Sequence, residues 1–178
     1  MITYGTLTRE DLRELSGIDR SDYSKSWCAV SNGELVEEDR EFRHVGFSEE
    51  QWNGIAREFG EALDRGSMVF AGAWSEGRLV GVAGLDLSRR FGPKGNLLNL
   101  GPMWVSRESR GLGIGRRLFD MLLDRAAGHD IDGLYVSATP TPATVAFYMA
   151  MGCRLLPRPD SELYRREPED IHMYVPLS

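Results

Sequence analysis

Residues 96–117 read Asn96-Leu-Leu-Asn-Leu100-Gly-Pro-Met-Trp-Val105-Ser-Arg-Glu-Ser-Arg110-Gly-Leu-Gly-Ile-Gly115-Arg-Arg117, and this stretch decides the fold. Asn96–Val105 is an apolar run of strand length. A glycine-rich turn follows it, then an amphipathic helix from about 113 to 127. Glycines at 111, 113 and 115 let the backbone approach a ligand, and amides at a helix start lack intrahelical acceptors, so the loop can take an anion. Arg110, Arg116 and Arg117 add charge suited to a phosphate-bearing partner. Taken alone, such a loop is more often a plain turn. No Gly-Lys-Ser/Thr follows, which excludes a phosphate-binding Walker loop. The spacing is Gly-x-Gly-x-Gly and the loop lies mid-chain after antiparallel strands, so a dinucleotide fold fits poorly.

Working outward, Met68–Leu87 holds two apolar runs around Ser75-Glu76-Gly77-Arg78, which predicts a tight hairpin. Residues 89–95 read as a Gly/Pro loop. Ser48-Glu-Glu-Gln51 is a capping box opening a helix to about Arg65, with Trp52, Ile55, Phe59 and Leu63 as its apolar stripe. Residues 2–7 suggest a strand, and 8–17 a helix capped by Thr8 and stopped at Gly17. Asn32-Gly33 reads as a hairpin turn between Ser26–Val30 and the highly charged Glu34–Arg43. Downstream come a strand at Gly133–Ala138, a helix capped by Thr141 with Pro142 at its first position and a stop at Gly152, and a strand at 170–175. Antiparallel strands followed by a β-α-β-α unit indicate a mixed sheet covered by helices.

The chain has 178 residues and a formal net charge of −6, which fits one domain. Its acidic balance argues against nucleic acid and anionic membranes as partners. No run approaches the ~20 apolar residues of a membrane span. The start, MITYGTLTRE, lacks the basic and apolar parts of a signal peptide, so a cytoplasmic location is expected. Cys28 and Cys153 form neither a disulfide framework nor a metal cluster, and no metal is expected. Charge is uneven: residues 34–50 carry seven acids against two arginines, whereas 106–117 carry four arginines against one glutamate.

Two motifs in order carry a family resemblance. Leu100-Gly-Pro-Met-Trp-Val105, then Gly111-Leu-Gly-Ile-Gly115, resembles the acetyl-CoA-binding segment of the GNAT N-acetyltransferases, with Arg110, Gly113 and Gly115 filling its Gln/Arg-x-x-Gly-x-Gly/Ala pattern. Leu134-Tyr-Val-Ser-Ala-Thr-Pro140 and Ala146-Phe-Tyr-Met-Ala-Met-Gly152 resemble the family's next strand and helix. The ending Glu167-Pro-Glu-Asp-Ile-His172 is similar to a branch of uncharacterised bacterial members. The resemblance implies an α/β fold: a mixed, mostly antiparallel twisted sheet with a splayed parallel central pair, flanked by helices. It implies a single domain over 1–178, with an acceptor side in 1–95, an acetyl-CoA core in 96–155 and a C-terminal strand segment in 156–178. Homodimers are common among such proteins, so a second copy is an expected partner.

The same resemblance implies roles. Backbone groups of Met103, Trp104 and Val105 would hold pantetheine, with Gly101-Pro102 as a bulge that opens the strand. Amides from Gly111 through Leu112, Gly113, Ile114, Gly115 and Arg116 would hold the pyrophosphate, beside Arg110. Thr141 stands where relatives often carry an asparagine that contacts the cofactor. Tyr148 matches the general acid, and the N–H of Met103 or Trp104 the oxyanion donor. Relatives often place a glutamate on the strand before the loop. Here that strand has no acid or histidine, and Asn99 can hold a water without taking its proton. Asp86, His44 and His172 are the candidate bases, reached through water, and none is singled out. Residues 34–50 would favour a cationic amine if they line the cleft; a solvated acidic hairpin is the alternative. The expected activity is acetyl transfer from acetyl-CoA to an amine by direct attack in a ternary complex. The competitors are a non-catalytic acyl-CoA sensor and an acyltransferase for longer chains, in which Met103 and Met149 would set the limit.

Overall fold

The computed structural model describes residues 1–177. In chain order its strands and helices are β1 (Ile2–Thr6), a 3-10 helix (Asp11–Gly17), β2 (Asp22–Ser24), β3 (Trp27–Ser31), β4 (Glu34–Glu38), β5 (Phe42–His44), α1 (Glu49–Asp64), β6 (Met68–Ser75), β7 (Arg78–Phe91), β8 (Leu97–Val105) and a 3-10 turn (Arg107–Ser109). There follow α2 (Ile114–Ala126), β9 (Gly133–Ala138), α3 (Pro142–Ala150), β10 (Arg154–Leu155), α4 (Ser161–Arg166) and β11 (Ile171–Pro176). Seven strands share one mixed sheet in the order β1-β6-β7-β8-β9-β11-β10, while β2 pairs with β5 and β3 with β4. The β8-α2-β9 connection supplies the parallel pair, because a strand that returns through a helix runs the same way as its predecessor.

The chain falls into two compact units, each assembled from separated segments. The first comprises Met1–Asp22, His44–Arg89 and Leu100–Arg125. Its core gathers Leu7, Leu12, Leu15, Ile18, Trp52, Phe59, Phe70, Leu79 and Val82. The capping box of α1 forms as expected: the Ser48 side chain accepts the Gln51 N–H and the Gln51 side chain accepts the Ser48 N–H. The helix then buries Trp52 and Phe59, with Ile55 and Leu63 packed beside them. Glu76 and Gly77 both have positive φ, 50° and 77°, which is the two-residue turn that lets β6 and β7 pair directly. Helix α2 buries Ile114, Leu118, Phe119 and Leu122. Gly81 on β7 makes room for it, since a Cβ there would lie 3.1 Å from both Ile114 and Leu118.

The second unit comprises Tyr23–Arg43, Arg90–Asn99 and the chain from Ala126 onward. Phe91, Leu97, Tyr135 and Leu163 form its described cluster, flanked by Leu156 and Tyr174. Strands β9 and β11 pair antiparallel from Gly133↔Pro176 to Ala138↔Ile171. The hairpin β3-β4 turns on Asn32 and Gly33, with φ of 52° and 81°.

Four details differ from the sequence expectations. The first helix is a 3-10 segment at Asp11–Gly17, and Thr8 donates both its N–H and its hydroxyl to Asp11 instead of capping with its oxygen. Strand β7 runs to Phe91, so the Gly/Pro loop shrinks to the turn before β8. The charged arm Glu34–Arg43 divides into β4 and β5, which join different sheets. Helix α4 was not foreseen; Asp160 caps it by accepting from the N–H groups of Glu162 and Leu163.

Candidate active site

In the first unit, β8 ends at Val105 and the chain turns through buried Ser106. The Ser106 N–H donates to the Val80 carbonyl at 2.8 Å, and its hydroxyl oxygen accepts the Asp19 N–H at 3.0 Å. The Arg107 N–H returns to the Asp19 carbonyl at 2.9 Å. Three bonds thus pin the base of the loop to β7 and to the segment before β2. Arg110 closes it: Nε donates to the Val105 carbonyl at 3.1 Å, and a terminal nitrogen pairs with Asp22 at 3.2 Å. The Arg110 side chain therefore braces the loop, whereas its sequence reading made it a phosphate contact.

Beyond that brace Gly111 and Gly113 take φ of 77° and 79°, where side-chain-bearing residues are strained. A Cβ at either would meet nothing within 4 Å, so the backbone faces open space. The first helical bond of α2 runs from the Arg117 N–H to the Gly113 carbonyl. The amides of Ile114, Gly115 and Arg116 consequently precede the helical ladder and have no acceptor within it. Ile114 anchors the turn in the core at 1% exposure, while Leu112, Arg116 and Arg117 stay exposed. A bare backbone cradle with unpaired donors and positive surroundings fits a pyrophosphate. Strand β8 continues unbroken through Gly101-Pro102, and Gly84 on β7 leaves the space that the proline ring occupies.

Trp104 joins an aromatic group in the same unit. Phe47 meets Trp52 and Trp104 edge-on, Trp52 meets Trp104 edge-on, and Phe59 stacks on Trp104. Arg20 lies over both Phe47 and Trp104, at 4.2 and 4.3 Å from the ring centroids. His44 packs edge-on against Phe47, and its Nδ1 accepts the Gly46 N–H at 3.0 Å. Burial, then the charge of Arg20, pushes the His44 pKa down. A neutral imidazole that accepts at Nδ1 carries its proton on Nε2, so it can take up another only by releasing Gly46. Asp86 lies on β7 opposite Met68, and its carboxylate accepts the Ser88 N–H at 2.8 Å.

The second unit holds Thr141, Tyr148 and His172. Thr141 caps α3, accepting the Thr144 N–H at 3.3 Å and donating to the Thr144 hydroxyl at 2.9 Å. Tyr148, on that helix, is buried, and burial followed by Cys153 and Asp170 raises its phenol further above the ordinary value. It is therefore protonated across the physiological range. His172 is engaged at both nitrogens: Nδ1 bonds the Tyr135 hydroxyl at 2.6 Å and Nε2 the Glu167 carbonyl at 3.0 Å. Since a carbonyl only accepts, Nε2 carries the proton and Nδ1 takes the Tyr135 hydroxyl's. Burial holds this imidazole below its usual pKa, which suits a structural clasp.

Sequence reading missed two features. Asp170 is pushed up to about 7 by burial and by Glu167 and Glu169, an effect of packing that no motif announces. Asn99 Oδ1 and Ser137 Oγ are buried and make no hydrogen bond among the described residues. The acids of 34–41 stand mostly exposed on and after β4, where Arg40 pairs with Glu169 at 2.8 Å.

On this α/β sheet, a strand, a bare glycine loop and a helix start with unpaired amides form an anion-binding cradle. The Acetyltransferase (GNAT) family model matches residues 33–153, and the chain belongs to that family. Similar solved structures include a nourseothricin acetyltransferase, at 18% identity with TM-score 0.73, covering 99% of both chains. Another is a putative streptothricin acetyltransferase from Bacillus anthracis in complex with acetyl coenzyme A, at 16% identity and TM-score 0.71, covering 100% of this chain and 99% of that one. A third is the PaiA N-acetyltransferase from Thermoplasma acidophilum in complex with coenzyme A, at 19% identity and TM-score 0.63, covering 99% of each. No curated protein sequence matches the chain. Among the described residues no group of three or more His, Cys, Asp or Glu could hold a metal, and no helix is long and apolar enough to cross a membrane.

Proposed function

We propose that the protein transfers the acetyl group of acetyl-CoA to a primary amine of a small molecule or peptide, by direct attack. The observation that carries this is the braced glycine loop, whose open backbone and unpaired amides at Ile114–Arg116 suit the CoA pyrophosphate. Acetyl-CoA supplies an activated thioester. Backbone groups of Met103 to Val105 orient its pantetheine arm, and the Met103 or Trp104 N–H stabilises the oxyanion. The amine lone pair forms the N–C bond, the C–S bond breaks, and the nitrogen loses one proton to solvent or a base. Tyr148 protonates the departing sulfur; burial favours its neutral form, as an acid requires. Both cysteines are buried and burial raises their thiol pKa values, which disfavours a covalent acetyl-enzyme.

One observation favours a second reading, a non-catalytic acyl-CoA sensor: β8 carries neither acid nor histidine. Calorimetry with acetyl-CoA and CoA, followed by free-thiol release over an amine panel, separates them. Binding with thiol release and an N-acetylated product supports the enzyme; binding without release on any amine supports the sensor.

A further inference from the structure

We propose that Arg20, set against Phe47 and Trp104, is the receptor for a carboxylate on the acyl acceptor, which makes the substrate an amino acid-like compound carrying both amine and carboxylate. This rests on the acetyl-transfer reading, because it places the acceptor beside Trp104. Two rings lie beside Arg20, with their centroids 4.2 and 4.3 Å from its Cζ, and they stand nearly perpendicular to each other, which narrows where the guanidinium can sit. Neither ring offers an oxygen acceptor, so the fork of guanidinium N–H groups stays available to match the two oxygens of a carboxylate. Both rings are packed in turn: Phe47 and Trp104 against Trp52, and Trp104 also against Phe59.

Arg20 makes no hydrogen bond or ion pair among the described residues. The nearby carboxylates are engaged elsewhere: Asp22 with Arg110 at 3.2 Å, and Asp19 with the Ser21 N–H at 2.8 Å. Arg110 is a like-charged neighbour, and Asp22 is paired with it. Burial, then the charge of Arg110, lowers the Arg20 pKa to about 10, and Arg20 in turn helps to keep His44 neutral. A half-buried guanidinium with unsatisfied donors and a like-charged neighbour is stabilised by an anion and repels a cationic acceptor. A purely structural Arg20 would need only the ring contacts, and would leave no preference between a carboxylate and a neutral group.

The test compares amino acids with their carboxamides as acceptors, in the wild type and in Arg20→Met and Arg20→Lys. The wild type should prefer the carboxylate by about 100-fold in kcat/KM, mainly through KM. Arg20→Met should abolish the preference while the Kd for acetyl-CoA holds within about twofold, and Arg20→Lys, which keeps the stem and charge without the fork, should recover part of it. Calorimetry with N-acetyl-amino acids gives a readout without turnover: binding to the wild type and its loss in Arg20→Met supports the receptor even if no acceptor releases thiol, an outcome that sinks only the acetyl-transfer reading. An unchanged preference in Arg20→Met overturns the proposal. So does a large loss of acetyl-CoA affinity, which would assign Arg20 to a cofactor phosphate, or a polyamine as the best acceptor.

Discussion

Tyr148→Phe removes one hydroxyl from a buried position and should lower kcat by about 10²–10⁴, with acetyl-CoA affinity retained. Stopped-flow thiol release reads the first effect and calorimetry the second; unchanged turnover would show that Tyr148 only packs. Asp170 yields a prediction of another kind. Its folded-state pKa of about 7 lies above the ordinary carboxylate value, so the folded state holds the proton more tightly and stability falls as pH rises between those values. Asp170→Asn should therefore raise stability by on the order of 1 kcal/mol near pH 8, with the gain fading near pH 4. Thermal melts at the two pH values check it, and equal gains at both would refute the buried-carboxyl explanation. At this scale the sequence was legible where a role depends on neighbours in the chain. Thr141-Pro142 announced a helix cap, and the cap is there. Ser106 carried no signal, because its partners are Val80 and Asp19. The brace that Arg110 makes was not legible for the same reason: nothing in sequence places Asp22 beside it. His172 could be recognised as a clasp only once Tyr135 and Glu167 were in place around it.

Among the elements, two glycines separate ligand geometry from chain packing. At Gly113 a Cβ has open space but the φ of 79° opposes it. Gly113→Ala should cost about 1 kcal/mol of stability and weaken acetyl-CoA binding by at least about tenfold, since the new methyl stands on the cradle. At Gly133 a Cβ would lie 2.2 Å from the Val175 carbonyl oxygen, inside the β9–β11 pairing. Gly133→Ala should destabilise by about 2–4 kcal/mol as strand backbones are forced apart. Denaturant melts and calorimetry on both variants check the contrast, and a Gly113→Ala protein that binds normally would remove the loop from the cofactor site. Elements with strong local signals were legible: the capping box of α1, the β6-β7 turn, and the run from β8 through α2. Those missed were short or decided by distant partners. Helix α4 has six residues and β10 two, too few for a period to show. The arm Glu34–Arg43 divides because β4 pairs with β3 while β5 pairs with β2, a choice its charges do not encode.

For the molecule as a whole, the chain passes between its two units repeatedly, and both β7 and β8 contribute residues to each. Neither unit is a contiguous stretch of sequence. Family membership was legible because two spaced motifs survive in order, and the family model matching 33–153 spans both. Acceptor identity was not legible, because it depends on which first-half side chains converge. The acidic run of 34–50 suggested either a cationic substrate or a solvated hairpin, whereas we propose that Arg20, set against Phe47 and Trp104, meets the acceptor. Bulk charge likewise resolves into local parts, with residues 106–117 summing to +3 around the loop that would meet CoA. The central claim is most directly tested by incubating the protein with acetyl-CoA and a panel of amines and following free thiol together with product mass. Acetyl transfer predicts one thiol released per N-acetylated amine, dependent on both protein and acceptor. Acetyl-CoA that neither binds nor yields thiol with any acceptor would contradict it.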